Sequence, residues 1–140
     1  MKIKQILFGT FPDANPGILI LRIFIGAALM THGMPKMFGG LEKFTGFVTS
    51  LGVPAPQVMA FLAAFTESFG ALFLLLGLLT RPAAFMIICT MAVAIFGAHG
   101  ADGFAKQELA WLYLVPALMF LLKGAGKWSV DFFISTKNKS

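Results

Sequence analysis

Six polar side chains stand in or beside stretches that are otherwise apolar: Arg22, His32, Lys36, Glu67, His99 and Glu108. Two imidazoles, two carboxylates, an ammonium and a guanidinium are groups that proteins use to move protons, hold a polar head group or pair charge away from water. Glu67 lies within FLAAFTESFGALFLLLGLLTR, Phe61 to Arg81. A carboxylate inside such a run is costly in lipid and needs a partner or a task. At a helical rise of ~1.5 Å per residue it falls about 14 Å from the outer start of its helix, near a bilayer midplane. On the preceding apolar segment the midplane falls near Gly26. Arg22 then lies about one turn to one side of it, and His32 between about one and two turns to the other. Arg22 with Glu67 is the expected intramembrane pair. Two readings of it stay open: a structural ion pair that fixes helix register, or a proton relay or polar ligand pocket.

His32, Lys36, His99 and Glu108 all map to the half beyond Glu67, and are expected to converge with it on one polar pocket. Clustering lets polar groups share hydrogen bonds that lipid cannot supply. Two histidines and a carboxylate are a conceivable metal set, but their spacing carries no metal signature and no metal is assigned. A quinone head group suits them better, since it needs an apolar slot, a donor such as His32 or Lys36 and a carboxylate for proton exchange. The single cysteine, Cys89, excludes an internal disulfide and a dithiol pair, and reads as packing. At the other end, Arg81 and Asp131 are an available clamp between the second loop and the C-terminal segment.

The elements that must position these groups follow from composition. Of 140 residues 58% are hydrophobic and only 12% charged, about half the charge of an ordinary soluble chain. That excludes a soluble domain and makes lipid the natural solvent. Four apolar segments are predicted to span it, over approximately 17–34, 58–79, 83–98 and 107–122, in one domain covering 1–140. Between the first two, Leu41, Phe44, Phe47, Val48 and Leu51 recur at helical spacing, which predicts a short amphipathic helix at the interface. The fold class is thus all-α: an integral membrane four-helix bundle with one interfacial helix.

Four spans place both termini on one side. Lys2, Lys4, Arg22, Arg81, Lys123, Lys127, Lys137 and Lys139 fall there, and only Lys36, Lys43 and Lys106 on the other. The excess marks the termini as cytoplasmic, and the net charge of +5 reads as contact with anionic lipid rather than nucleic acid. Trp111 and Tyr113 near the outer end and Trp128 near the inner end fit aromatic belts.

The order LRIFIGAALMTHGMPKMFGG, LGVPAP, ESFGALFLLLGLLTRPAA, HGADGF, QELAWLYL and GAGKWSVD, over roughly 17–133, resembles the DoxX family of small bacterial membrane proteins. The positions that carry the resemblance are Arg22, His32, Gly33, Lys36, Glu67, Gly77, Arg81, His99, Glu108, Gly124, Gly126, Ser129 and Asp131. Many relatives have a glycine where Ala71 stands here. The resemblance implies a four-helix bundle in the bacterial inner membrane. It also implies a subunit or partner of a membrane redox system, quinone-linked or tied to oxidative stress, working with other membrane or redox proteins or as a homo-oligomer. It assigns no catalytic residue and does not decide whether the chain is an enzyme. The alternatives are a small-molecule or proton-coupled carrier and a purely structural assembly factor.

Overall fold

The computed structural model describes residues 3–11 and 13–137. Lys2, Lys139 and the Lys4 side chain, all counted in the charge balance, lie outside that description. Every regular element among the described residues is helical. In chain order these are α1 (Ile3–Phe8), α2 (Pro16–Met37), α3 (Leu41–Ser50) and α4 (Pro56–Phe65). A π-helical turn, Thr66–Gly70, carries α4 into α5 (Ala71–Leu76). Then follow α6 (Thr80–Val93), a second π turn (Ala94–Ala98), α7 (Phe104–Lys123) and α8 (Val130–Lys137). Four helical stretches are long and apolar enough to cross a bilayer: Pro16–Met37, Pro56–Leu76, Thr80–Ala98 and Phe104–Lys123.

Local chemistry sets the ends. The Asn15 side chain accepts from the Gly17 N–H at 2.8 Å, and Pro16 opens α2 with its fixed φ. Gly77, at φ +66°, stops α5 at Leu76, three residues short of the expected end. α6 starts three residues early, because Asp131 accepts from the N–H groups of Leu79 and Thr80 at 2.7 and 2.9 Å. Gly124 ends α7 at φ +83°, and Ser129 Oγ accepts from Phe132 N at 3.2 Å where α8 begins. α7 also begins earlier than the apolar run suggests, at Phe104, so Glu108 sits in its second turn.

α2 packs on α5 and the first π turn, and α6 packs on α7. Ile25, Leu29, Leu74, Ile87, Ile95 and Phe120 fill the space between them. Ile20, Phe24, Phe96 and Leu122 face outward, each about two-thirds exposed, a surface suited to lipid. Tyr113 does not join an aromatic belt. It is buried and meets the His32 ring edge-on, with centroids 6.1 Å apart.

Two glycines of α2 fix the register. A Cβ on Gly33 would collide with the Glu67 carbonyl and the Ser68 amide, and one on Gly26 would lie 2.9 Å from the Ala71 carbonyl oxygen. Small residues permit this approach of backbones. Gly33, rather than Gly26, is therefore level with Glu67. Gly33 is four residues from the end of α2, whereas Glu67 is eleven from the start of α4. α4 thus projects roughly 10 Å beyond α2, and α3 lies alongside that projection.

Candidate functional site

This register gives Glu67 a different partner from the one expected. Lys36, in the last turn of α2, reaches Glu67 Oε2 at 2.5 Å. The carboxylate is buried, the ammonium partly so, and Lys36 Nζ also stands 4.5 Å from the centre of the Phe44 ring. Glu67 Oε1 carries no hydrogen bond from any described residue. Thr66 and Ser68 beside it are self-satisfied, donating one turn back to the carbonyls of Leu62 and Ala64 at 2.7 and 2.6 Å. Among the described residues no second donor competes for Glu67.

Arg22 is some eleven residues below Gly33 and cannot reach Glu67. Its guanidinium donates instead to three main-chain carbonyls: Leu75 at 3.2 Å, Trp128 at 2.7 Å and Ala125. Asp131, nearby in charge terms, has both oxygens on the Leu79 and Thr80 amides. The expected Arg81–Asp131 clamp does not form. Arg81 donates to the Leu122 carbonyl at 3.2 Å, and Asp131 acts as the cap of α6. The physical reason is that bare helix-start amides inside a membrane have no water to turn to, so a carboxylate among them is held.

The half of the bundle away from the termini contains a cavity of about 520 Å³. It exists because α6 packs against the first π turn and α5 but barely meets α4. The gap between α4 and α6 is roofed by α3, whose Phe44, Phe47, Val48 and Leu51 line it. The apolar face read as interfacial therefore covers a cavity. Met59, Leu62, Phe85, Met86 and Val93 extend the apolar wall. Its polar groups include Lys36, Glu67, Thr66, Thr90 and His99. Cys89, expected as packing, is exposed on this wall. Both π turns border the cavity, one carrying Glu67 and the other leading into His99. Such turns are frequent at functional sites.

Of the six residues singled out in the sequence, the structure brings Lys36, Glu67 and His99 to one cavity. His32, Glu108 and Arg22 lie elsewhere. His32 is about 100° round the helix from Gly33, turned toward α7 and Tyr113. Glu108 is exposed on α7. Among the described residues no three His, Cys, Asp or Glu side chains are disposed to hold a metal. Asp102, which the sequence reading passed over, accepts from His99 Nδ1 at 2.9 Å and from Lys106 at 3.2 Å. These two hydrogen bonds, His99 first, hold its carboxyl below the usual range. Its spacing in HGADGF, three residues after His99 and four before Lys106, was the available signal. Asp13, paired with Lys123 at 2.6 Å near the termini, is held low in the same way, by Lys123 and then by the Asn15 amide.

Comparison with known proteins agrees with this architecture. The DoxX family model matches residues 17–100. An uncharacterized membrane protein of Mycobacterium tuberculosis is 29% identical, over 89% of this chain and 85% of its own length. An uncharacterized protein of Haemophilus influenzae is 33% identical over 81% and 87% of the two chains. The Escherichia coli inner membrane protein YphA is 35% identical over 66% of each. No solved structure matches significantly. With its four candidate spans and a family match over more than half its length, this chain is a membrane protein of the DoxX family.

Proposed function

We propose that this protein is a partner subunit of a membrane redox system in the bacterial inner membrane, and that it holds the head group of a lipid-soluble quinone in the cavity under α3. The observation that carries the reading is the Lys36–Glu67 pair on an apolar wall. The pair is neutral as a unit, yet offers N–H donors on Lys36 and, at Glu67 Oε1, an acceptor that no described residue occupies. A neutral head with oxygens that accept or O–H groups that donate is what such a pair recognises. A phosphate or carboxylate head would have to displace Glu67 from Lys36. The cavity, about 520 Å³, is of ordinary ligand size, and the gap between α4 and α6 gives an apolar tail an exit toward lipid. When bound, a quinone supplies two-electron, two-proton chemistry. The chain's own residues orient the head, exclude water with Phe44, Phe47 and Leu51, and hold a proton acceptor at Glu67.

The carrier reading has less support. Between Glu67 and the termini side, the core is packed with the fully buried apolar Ala71, Leu74, Ala84 and Ile87. For orientation, the described cations Arg81, Lys123, Lys127 and Lys137 at the termini side support cytoplasmic termini. Labelling of single cysteines, in a Cys89→Ser background, at 137 and 43 in intact cells tests this. Reaction at 137 from the periplasm would reverse it.

The functional test is direct. Protein extracted in mild detergent should retain quinone above the level of an unrelated four-span protein, and Glu67→Gln should retain much less while staying folded. Equal quinone in all three samples would overturn the reading.

A further inference from the structure

The cavity has a second polar station that the ion pair does not explain. His99 lines it just past the second π turn, and its Nδ1 is bonded to Asp102 Oδ2 at 2.9 Å. An ionised carboxylate only accepts, so Nδ1 must carry the hydrogen. Asp102 is kept ionised by that bond together with the one from Lys106. Gln107 Nε2 donates to the His99 carbonyl at 2.8 Å and to that of Asp102 at 3.4 Å, which ties the loop to α7. In its neutral form the imidazole, with its hydrogen on Nδ1, presents Nε2 as a bare lone pair, and Nε2 has no hydrogen bond to any described residue.

We infer that His99, positioned by Asp102, makes the site selective for a hydroxylated ring, the quinol form, over the corresponding quinone. This rests on the quinone-site reading above. An O–H donates to Nε2, whereas a carbonyl oxygen would set lone pair against lone pair. The Lys36–Glu67 pair serves either form, because it both donates and accepts. Recognition of the ring thus belongs to the pair, and discrimination between its oxidation states to His99. Asp102 acts through His99 and is a positioning residue. The charged groups around the imidazole are Asp102 and Lys106 on its own side, and Lys36 with Glu67 across the cavity.

The experiment uses the full chain in nanodiscs. A short-tailed benzoquinone and its hydroquinone, the latter under anaerobic conditions, are titrated at neutral pH. The protein carries ¹⁵N-labelled histidine, so that the imidazole shifts report the tautomer. Expected are a roughly fivefold to tenfold tighter hydroquinone Kd, the size of one hydrogen bond, and His99 signals of the Nδ1–H tautomer. Asp102→Asn, whose amide also donates, should shift the tautomer population toward Nε2–H and remove or invert the preference while both ligands still bind. His99→Ala should bring the two affinities together. Equal affinities in the unaltered protein, tighter quinone, or an Nε2–H tautomer there would overturn the inference and leave the quinone site standing. Failure of both ligands to bind would overturn the quinone site and the inference with it.

Discussion

Arg22 and Glu67 are both buried, 3% and 6% exposed, and both sit on the face where α2 meets α4 and α5. Their surroundings differ. Arg22 is enclosed at the termini side by carbonyls from two segments, and the C-terminal chain is knitted around it. Asp131 N donates to the Gly77 carbonyl at 2.8 Å, Gly126 N to Thr10 Oγ1 at 2.8 Å and Lys127 N to the Asp13 carbonyl at 3.0 Å. Among the described residues Glu67 has one partner and an unused oxygen, and a cavity lies in front of it. A buried cation with a carbonyl on each nitrogen makes a lock, and a carboxylate with one oxygen engaged beside empty volume makes a site. Ionisable residues in spans are costly in both cases, but only the second arrangement leaves bonding capacity for a ligand.

Predictions can break or sharpen this contrast. The largest effect is expected at the lock. Arg22→Ala strands one buried and two part-buried carbonyls and removes the countercharge near Asp131, and should cost about 3 kcal/mol. Arg22→Lys, with fewer and differently aimed donors, should restore only part. Reversible unfolding in mixed detergent micelles measures both. If Arg22→Ala were no worse than Glu67→Gln, the two halves would not differ in kind.

Next comes the seam that joins them. Gly33→Ala pushes a methyl into the Glu67 backbone. It should destabilise by about 1–3 kcal/mol, as overpacking does, and weaken ligand retention as well. Loss of stability with unchanged retention would detach the seam from the site.

A smaller effect identifies the partner. A double-mutant cycle with Lys36→Met and Glu67→Gln should show a coupling of about 0.5–2 kcal/mol, while the Arg22→Ala and Glu67→Gln cycle should be additive within about 0.5 kcal/mol. Reversed couplings would restore Arg22 as the partner.

The smallest effect is an acid response at both ends. Asp13 and Asp102 have folded pKa values below the ordinary carboxyl value of 3.8. Groups shifted down stabilise fully above the unfolded value and lose that contribution as pH falls through the folded one. Neutral and mildly acidic solution should therefore leave both clasps intact. Below about pH 3.8, amide exchange should rise in the segment from Phe11 to Asn15 and in the loop from His99 to Gly103. Faster exchange there already near pH 6 would contradict the pairing.

How much of this was legible in the chain differs by residue. Ala60, Ala64, Glu67, Ser68 and Ala71 recur at helical spacing and are all buried, because helical periodicity fixes which residues share a face. Lys36, Glu67 and His99 could be picked out by type alone. Their meeting at one pocket was expected together with His32 and Glu108, but the set could not be narrowed from the sequence, since His32 is only four residues from Lys36 and yet turns to Tyr113. Glu108 was drawn in by an assumed height that the earlier start of α7 removed. The cavity itself leaves no mark on the sequence. It is a divergence of α4 from α6, and divergence is a property of pairs of helices.

Lipid as solvent, four spans and the short helix between the first two were determined by the sequence by itself. Each depends on local composition and periodicity. The partner of Glu67 was decided only by the tertiary structure. Periodicity gives a side chain's angle about its own axis, but not how far one helix slides along the next. Here the backbone contact at Gly33 and the projection of α4 set that slide seven residues away from the midplane estimate at Gly26. That displacement gives Glu67 to Lys36 and Arg22 to the carbonyls of the C-terminal segment.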